Sequence, residues 1–263
     1  MVTELKLMAS RINWLGMAVV AGILLAWQLV VATGIITYSS FPAPTAILDA
    51  FVYLSGHGIL WPQVAHTLRC VFISWSLAVL IGSTVGLLIG LNKTAASWGT
   101  ATIDLLRSLP VLVLIPIGIL IWGPATQTEI IIGTYAGLWP MILNTAGGVR
   151  SVSPRLREVA ATMGLSRAET LFKIVVPSTS ASMLVGARLA LSSALIICVV
   201  AEMLGLQAGV GNLLVLQRSA DQPERMWAFV LTVGILGLLV NVALNWLVRL
   251  VSPGIYASMN RTA

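Results

Sequence analysis

Two stretches of the chain, 14–36 and 70–92, run their full length without one charged side chain. A helix needs roughly 20 residues at about 1.5 Å each to cross the hydrocarbon core of a bilayer, and each stretch meets that length. The rest of the composition agrees. Of 263 residues, 58% are apolar and 9% are charged, whereas an ordinary soluble domain carries about 25% charged residues. So few charges cannot cover the surface of a water-soluble fold of this size, and disorder, which needs low hydrophobicity and high charge, is excluded.

Four further apolar blocks follow, at 105–122, 130–149, 181–206 and 226–248. Continuous apolar runs argue against a transmembrane β-barrel, whose strands alternate over about 10 residues. The sequence therefore predicts an all-α polytopic membrane protein: one transmembrane domain over 1–263 with six spanning helices. The third block carries Arg107 near its start, and the fifth contains Arg188 and Glu202.

Lysine and arginine accumulate in cytoplasmic loops. With the N-terminus inside, the inner segments hold Lys6, Arg11, Lys93, Arg107, Arg150, Arg155, Arg157, Arg167, Lys173, Arg249 and Arg261. The outer ones hold Arg69, Arg218 and Arg225. That bias predicts both termini in the cytoplasm and accounts for the net charge of +6 without a nucleic-acid partner. The first block exceeds the apolar core of a signal peptide and lacks a clear small-x-small cleavage site, so it reads as a retained span.

Two connecting segments are long. In the outer one, 37–69, Phe41-Pro42-Ala43-Pro44 precedes the apolar run 47–54. This predicts a helix lying at the membrane surface with Pro44 in its first turn. The inner one, 150–180, predicts two short helices. Ser153 is placed to cap the first, Pro154 opens it and Gly164 ends it. Ser166-Arg167-Ala168-Glu169 has capping-box spacing for the second, which Pro177 is expected to stop.

Within that inner bend, Glu158, Ala160, Gly164, Ile174 and Pro177 stand in the register Glu-Ala-Ala, three residues, Gly, nine residues, Ile, any residue, Leu-Pro. Val159 and Val176 replace the first Ala and the Leu. The segment resembles the signature loop of permease subunits of binding-protein-dependent ABC importers. Phe41-Pro42-Ala43-Pro44, His66-Thr67-Leu68-Arg69, Arg107-Ser108-Leu109-Pro110 with Pro116, Ala201-Glu202-Met203-Leu204-Gly205 and Gly209-Val210-Gly211-Asn212-Leu213-Leu214 are similar to the nitrate, sulfonate and taurine branch. One departure follows the third block, where an aromatic-Gly-x-Gly segment is replaced by Trp122-Gly123-Pro124-Ala125-Thr126.

The resemblance implies a type I importer permease in the bacterial inner membrane. Its partners would be a second permease chain, identical or not, two cytoplasmic ATPases that bind MgATP, and an external solute-binding protein. The branch implies a small anionic solute such as a sulfonate, nitrate or a related acid; a vitamin precursor or aromatic acid is the alternative. A channel-like or scaffold protein docking another cytoplasmic partner is the rival from a different class. In the ATPase-coupling loop of Glu158, Val159, Ala160, Ala161, Gly164, Ile174 and Pro177, the alanines offer close approach. Gly164 allows a sharp exit through positive φ, and Glu158 pairs either locally or with the ATPase.

Arg188 lies 11 residues beyond Pro177, where a charge costs about 2.5–3.5 kcal/mol on insertion scales. It either lines the pathway or snorkels inward. Glu202, 14 residues further, lies on roughly the same face and reads as pathway lining or as a headgroup-zone residue. Pro110 and Pro116 in the third block give a gating bend or a static kink. Gly82, Gly86, Gly90 and the pair Gly133 and Gly137 mark close helix contacts.

No catalytic constellation is present. His57 and His66 are the only histidines, and both read as lacking a cysteine or carboxylate at ligand spacing, so no metal site is expected. Cys70 and Cys198 read as small packing residues. Gly209-x-Gly211 lacks a preceding strand and a third glycine, and reads as a flexible outer turn. With no Gly-x4-Gly-Lys-Ser/Thr segment, ATP must be bound by another chain, and this one carries no cofactor.

Overall fold

The computed structural model describes residues 14–36, 38 and 40–251, and among them every regular element is helical and no strand occurs. The elements are α1 (Trp14–Ala32), α2 (Pro44–Gly56), α3 (Leu60–Leu91), α4 (Lys93–Arg107), α5 (Val111–Trp122) and α6 (Thr126–Ser151). They continue with α7 (Pro154–Thr162), α8 (Arg167–Thr170), a π turn (Leu171–Val175), α9 (Val176–Met203), α10 (Val210–Ser219) and α11 (Pro223–Val251). The expected all-α class holds. Lys6, Arg11 and Arg261, which entered the charge count, lie outside the described residues.

By length and apolarity, four helices are suited to cross a membrane: α1, α3, the continuous rod Arg167–Met203, and α11. The six expected spans are thus not reproduced one for one, and two departures have clear causes. The third block is broken: α4 and α5 meet at an angle of 81° and together have the character of one span. Pro110 sits at the start of α5, in extended backbone at φ −63° and ψ 116°, rather than inside a helix. Arg107 accordingly ends α4, paired with Asp104 at 2.9 Å, while Pro116 remains within α5.

The fourth block became α6, whose 26 residues extend about 39 Å. Its threonines, glycines and Glu129 leave it too polar to face lipid, and it does not have to. α3 and α9 pack along both its sides, and 13 of its residues are buried. The glycines make this possible. A methyl group at Gly82, Gly86 or Gly90 would fall 2.7, 2.6 or 2.6 Å from the Cβ of Met141, Thr145 or Val149 on α6. At Gly137 it would fall 2.9 Å from Ala78 Cβ. The four-residue spacing seen in the sequence is therefore a helix–helix seam.

α3 starts ten residues before the expected 70, so His66 and Arg69 belong to the helix and not to a loop. Asn92 ends it and caps α4, its side-chain oxygen accepting from Thr94 N at 2.9 Å and Ala95 N at 3.3 Å. Pro44 opens α2 as expected. That helix is no free surface element, since Ile47 and Leu54 pack with Phe229 of α11. Nearby, Trp27 stacks on Phe41 at 4.9 Å and meets Trp227 edge-on at 5.6 Å. Aromatic groups of this kind favour the level of the lipid headgroups.

Candidate functional site

At one end of the bundle, the bend between α6 and α9 is built from local signals. Pro154 opens α7, although the Ser153 hydroxyl makes no capping bond. Gly164 takes φ +68°. Around it, Gly164 N donates to Ala161 O and Leu165 N donates to Ala160 O, both at 3.0 Å. These two bonds form a Schellman close, which satisfies the last carbonyls of α7 and fixes the exit direction. Ser166 and Glu169 then form the expected capping box, and Lys173 binds Glu169 at 2.9 Å.

Pro177 does not stop the second helix. Val176 N donates to Leu171 O, five residues back, in a π turn that runs straight into α9 with Pro177 in its first turn. Pro177 has no N–H to donate, so the rod forgoes one backbone bond there, and the five-residue register of the π turn just before it accommodates the ring. α8, the π turn and α9 thus form one rod of 37 residues, Arg167–Met203, that joins the bend to the membrane. π turns often mark functional segments of helices.

The bend presents an uncovered apolar stripe. Leu156, Val159 and Met163 are 43%, 48% and 69% exposed on one face of α7. Glu158 and Ala161 are exposed as well, whereas Ala160 is turned into the protein and buried. Of the two alanines expected to meet a partner, only Ala161 is available. Ile174 is half-buried and Pro177 exposed. Beside α7, a cleft of about 680 Å³ opens between Leu91 and Asn92 of α3 and Ala161, Leu165, Arg167 and Leu171 of the bend.

Arg188 stands midway along α9, exposed, its Nε donating to Asn241 Oδ1 on α11 at 3.0 Å. The side chain is held across to a neighbouring helix.

Glu202 faces neither lipid nor an open path. It is fully buried, and its Oε1 accepts from Thr67 Oγ1 at 2.6 Å while Oε2 accepts from Gly211 N at 2.8 Å. Thr67 Oγ1 in turn accepts from Val210 N at 3.1 Å, and Gln63 Oε1 accepts from Gly209 N at 2.7 Å. A carboxylate at the first turn of α10 satisfies free N–H groups and favours the positive end of the helix dipole. Gly209-x-Gly211 is therefore the start of a helix and not a flexible turn. At Gly209, φ +100°, a Cβ would run into the Glu202 carboxylate; at Gly211 it would strike Val199 O and lie 2.9 Å from Glu202 Cβ.

The expectation that His66 has no ligand-type neighbour is overturned. Cys70 lies one turn along α3, four residues away, and the packing of α6 on α3 delivers Glu129. His66 Nε2 is 3.1 Å from Glu129 Oε2 and 3.7 Å from Cys70 Sγ. The i, i+4 pair was visible in the sequence once α3 is started at Leu60; the carboxylate, 63 residues distant, was not. Cys198 is buried as expected of a packing residue, with its Sγ 3.9 Å from Ser74 Oγ.

Residues 78–256 match the sequence profile of the family described as binding-protein-dependent transport system inner membrane component. An Escherichia coli (strain K12) protein provisionally named aliphatic sulfonates transport permease protein SsuC is 31% identical over 233 residues, covering 87% of each chain. Its namesake in Bacillus subtilis (strain 168) is 26% identical over 91% of this chain and 87% of its own. The nitrate import permease protein NrtB of Synechococcus elongatus is 30% identical over 73% of this chain and 70% of its own. Among solved structures, a chain of the MetNI methionine ABC transporter, in inward-facing conformations, superposes with a TM-score of 0.66. It is 20% identical, over 75% of this chain and 98% of that one, a likeness of fold.

Proposed function

We propose, from the premise that this chain belongs to the family of binding-protein-dependent transport system inner membrane components, that it forms half of an ATP-driven import pathway. It is a multi-pass inner-membrane permease of an ABC importer. The observation that carries the finer reading is the bend: a short helix closed at Gly164, with Leu156, Val159 and Met163 exposed, joined through a continuous rod to the membrane. A surface that must fit a cleft on a soluble partner and transmit a rigid-body push needs those properties. The partner is a cytoplasmic ATPase that binds MgATP, one per permease chain. Closure of two ATPases draws two such bends together and opens the pathway toward a loaded binding protein. Both termini then lie in the cytoplasm, on the side of the bend.

The proposed solute is a small anion of the sulfonate or nitrate kind. The names of the relatives support this, and so does an exposed guanidinium held by Asn241 midway along a helix long and apolar enough to span a membrane. Replacing Arg188 with leucine is expected to lower sulfonate or nitrate uptake about tenfold or more, the effect of losing one charge-assisted contact of roughly 1.5–3 kcal/mol. Abundance in the membrane should stay normal. Unchanged uptake would remove Arg188 from the pathway. The function itself is tested by reconstituting the chain with its ATPase and binding protein in vesicles. ATP-dependent accumulation of the anion is expected, and entry that ignores ATP and stops at equal concentrations would favour a channel.

A further inference from the structure

His66, Cys70 and Glu129 present one nitrogen, one sulfur and one oxygen donor within 4.8 Å of one another. The transport reading uses none of them. Cys70 and Glu129 are fully buried, and the His66 side chain is 23% exposed, which leaves one side of the group open to an approaching ion. Glu129 Oε2 meets His66, while Oε1 is buried with no hydrogen-bond donor and has the buried Glu202 carboxylate as a neighbour, so the pocket carries excess negative character. A buried carboxylate oxygen without a donor is costly, and native structures seldom leave one so. A bound cation would satisfy it.

We infer that His66, Cys70 and Glu129 form a site for a single transition-metal ion of the zinc, cobalt or nickel type. The donor set selects the class. Imidazole and thiolate favour borderline and soft ions over magnesium or calcium, which seek all-oxygen sites. The spacing fits too. A tetrahedral ion bound at about 2.0–2.3 Å sets its donors roughly 3.3–3.8 Å apart. The separations here, 3.1 Å for His66 to Glu129 and 3.7 Å for His66 to Cys70, need only small adjustment. Thiolate and carboxylate together balance the charge of a divalent ion. Three protein ligands leave a fourth position open. Because two donors come from α3 and one from the first turn of α6, the ion would fasten these helices beside the hairpin that joins α5 to α6.

Cobalt(II) is the probe, titrated into the purified full-length chain in detergent and read by visible and near-ultraviolet absorption. One equivalent is expected to give tetrahedral cobalt bands and a thiolate-to-cobalt charge-transfer band. Cys70→Ser should abolish the charge-transfer band, and Glu129→Gln and His66→Ala should each weaken binding about tenfold or more. His57→Ala, on α2, should bind as the parent does. As a reading independent of these variants, zinc should raise the melting temperature of the parent chain, because an ion that binds only the folded state stabilises it. A parent chain that is folded yet shows neither a cobalt band nor a zinc-dependent shift would overturn the site. So would a charge-transfer band that survives in Cys70→Ser or is lost in His57→Ala.

Discussion

Solute uptake through a Gly164→Val chain is expected to fall about tenfold or more, with the protein still inserted at normal abundance. Gly164 sits at φ +68°, a conformation that costs an L-residue roughly 1–2 kcal/mol and a β-branched one the upper end of that range. Space is not the obstacle, since a Cβ there meets nothing within 4 Å. The penalty falls on the Schellman close, and relieving it frays the end of α7 and disorders Met163, the most exposed member of the apolar stripe. A loss of about 1.4 kcal/mol in docking corresponds to tenfold. Asparagine tolerates left-handed backbone, so Gly164→Asn should restore most of the uptake. Equal loss in both variants would mean that the residue's size, and not its backbone, matters.

The second large effect is on stability, at the opposite end of the bundle. Gly211→Val drives a branched side chain into Val199 O and against Glu202, and disturbs the N–H that Glu202 Oε2 accepts. Overpacking combined with a broken buried bond is expected to cost about 3 kcal/mol or more. The chain should fail to accumulate in the membrane or should melt far below the parent. Glu202→Gln gives a graded comparison. One amide oxygen can still accept, but the amide nitrogen cannot accept from Gly211 N, so the cost should be about 1–3 kcal/mol. Thermal unfolding in detergent orders the three chains as parent, then Glu202→Gln, then Gly211→Val. If Glu202→Gln matches the parent, Glu202 does not hold α10 in place.

What could be read from the sequence divides by the range of the interaction. The bend was legible because its signals are local: Gly164 ends α7 by its own backbone freedom, and Ser166 and Glu169 cap each other across three residues. The glycines of α3 were legible as a seam, though not the partner that fills it. Glu202 was misplaced because its partners Thr67 and Gly211 lie 135 and 9 residues away. A charge near the end of an apolar block reads as a headgroup residue until a neighbouring helix is known to cover it. For the same reason His66 looked alone until α6 brought Glu129 alongside. Pro110 and Pro177 were both recognised as breakers, and their effects were exchanged. Pro110 separates two helices at 81°, while Pro177 fits a first turn that a π turn connects to the bend.

The central claim is that the stripe on α7 docks an ATPase. A photo-crosslinking amino acid placed at Met163, 69% exposed at the end of that stripe, tests it directly when the tagged full-length chain is irradiated in its own membrane and purified. The expected product is a covalent adduct with a nucleotide-binding subunit, identified by mass spectrometry, that co-purifies one to one with the permease and disappears when the probe is moved to Leu120, an exposed residue of α5. A folded, abundant chain that yields no adduct at Met163, or one with a protein that binds no nucleotide, would contradict the coupling role of the bend.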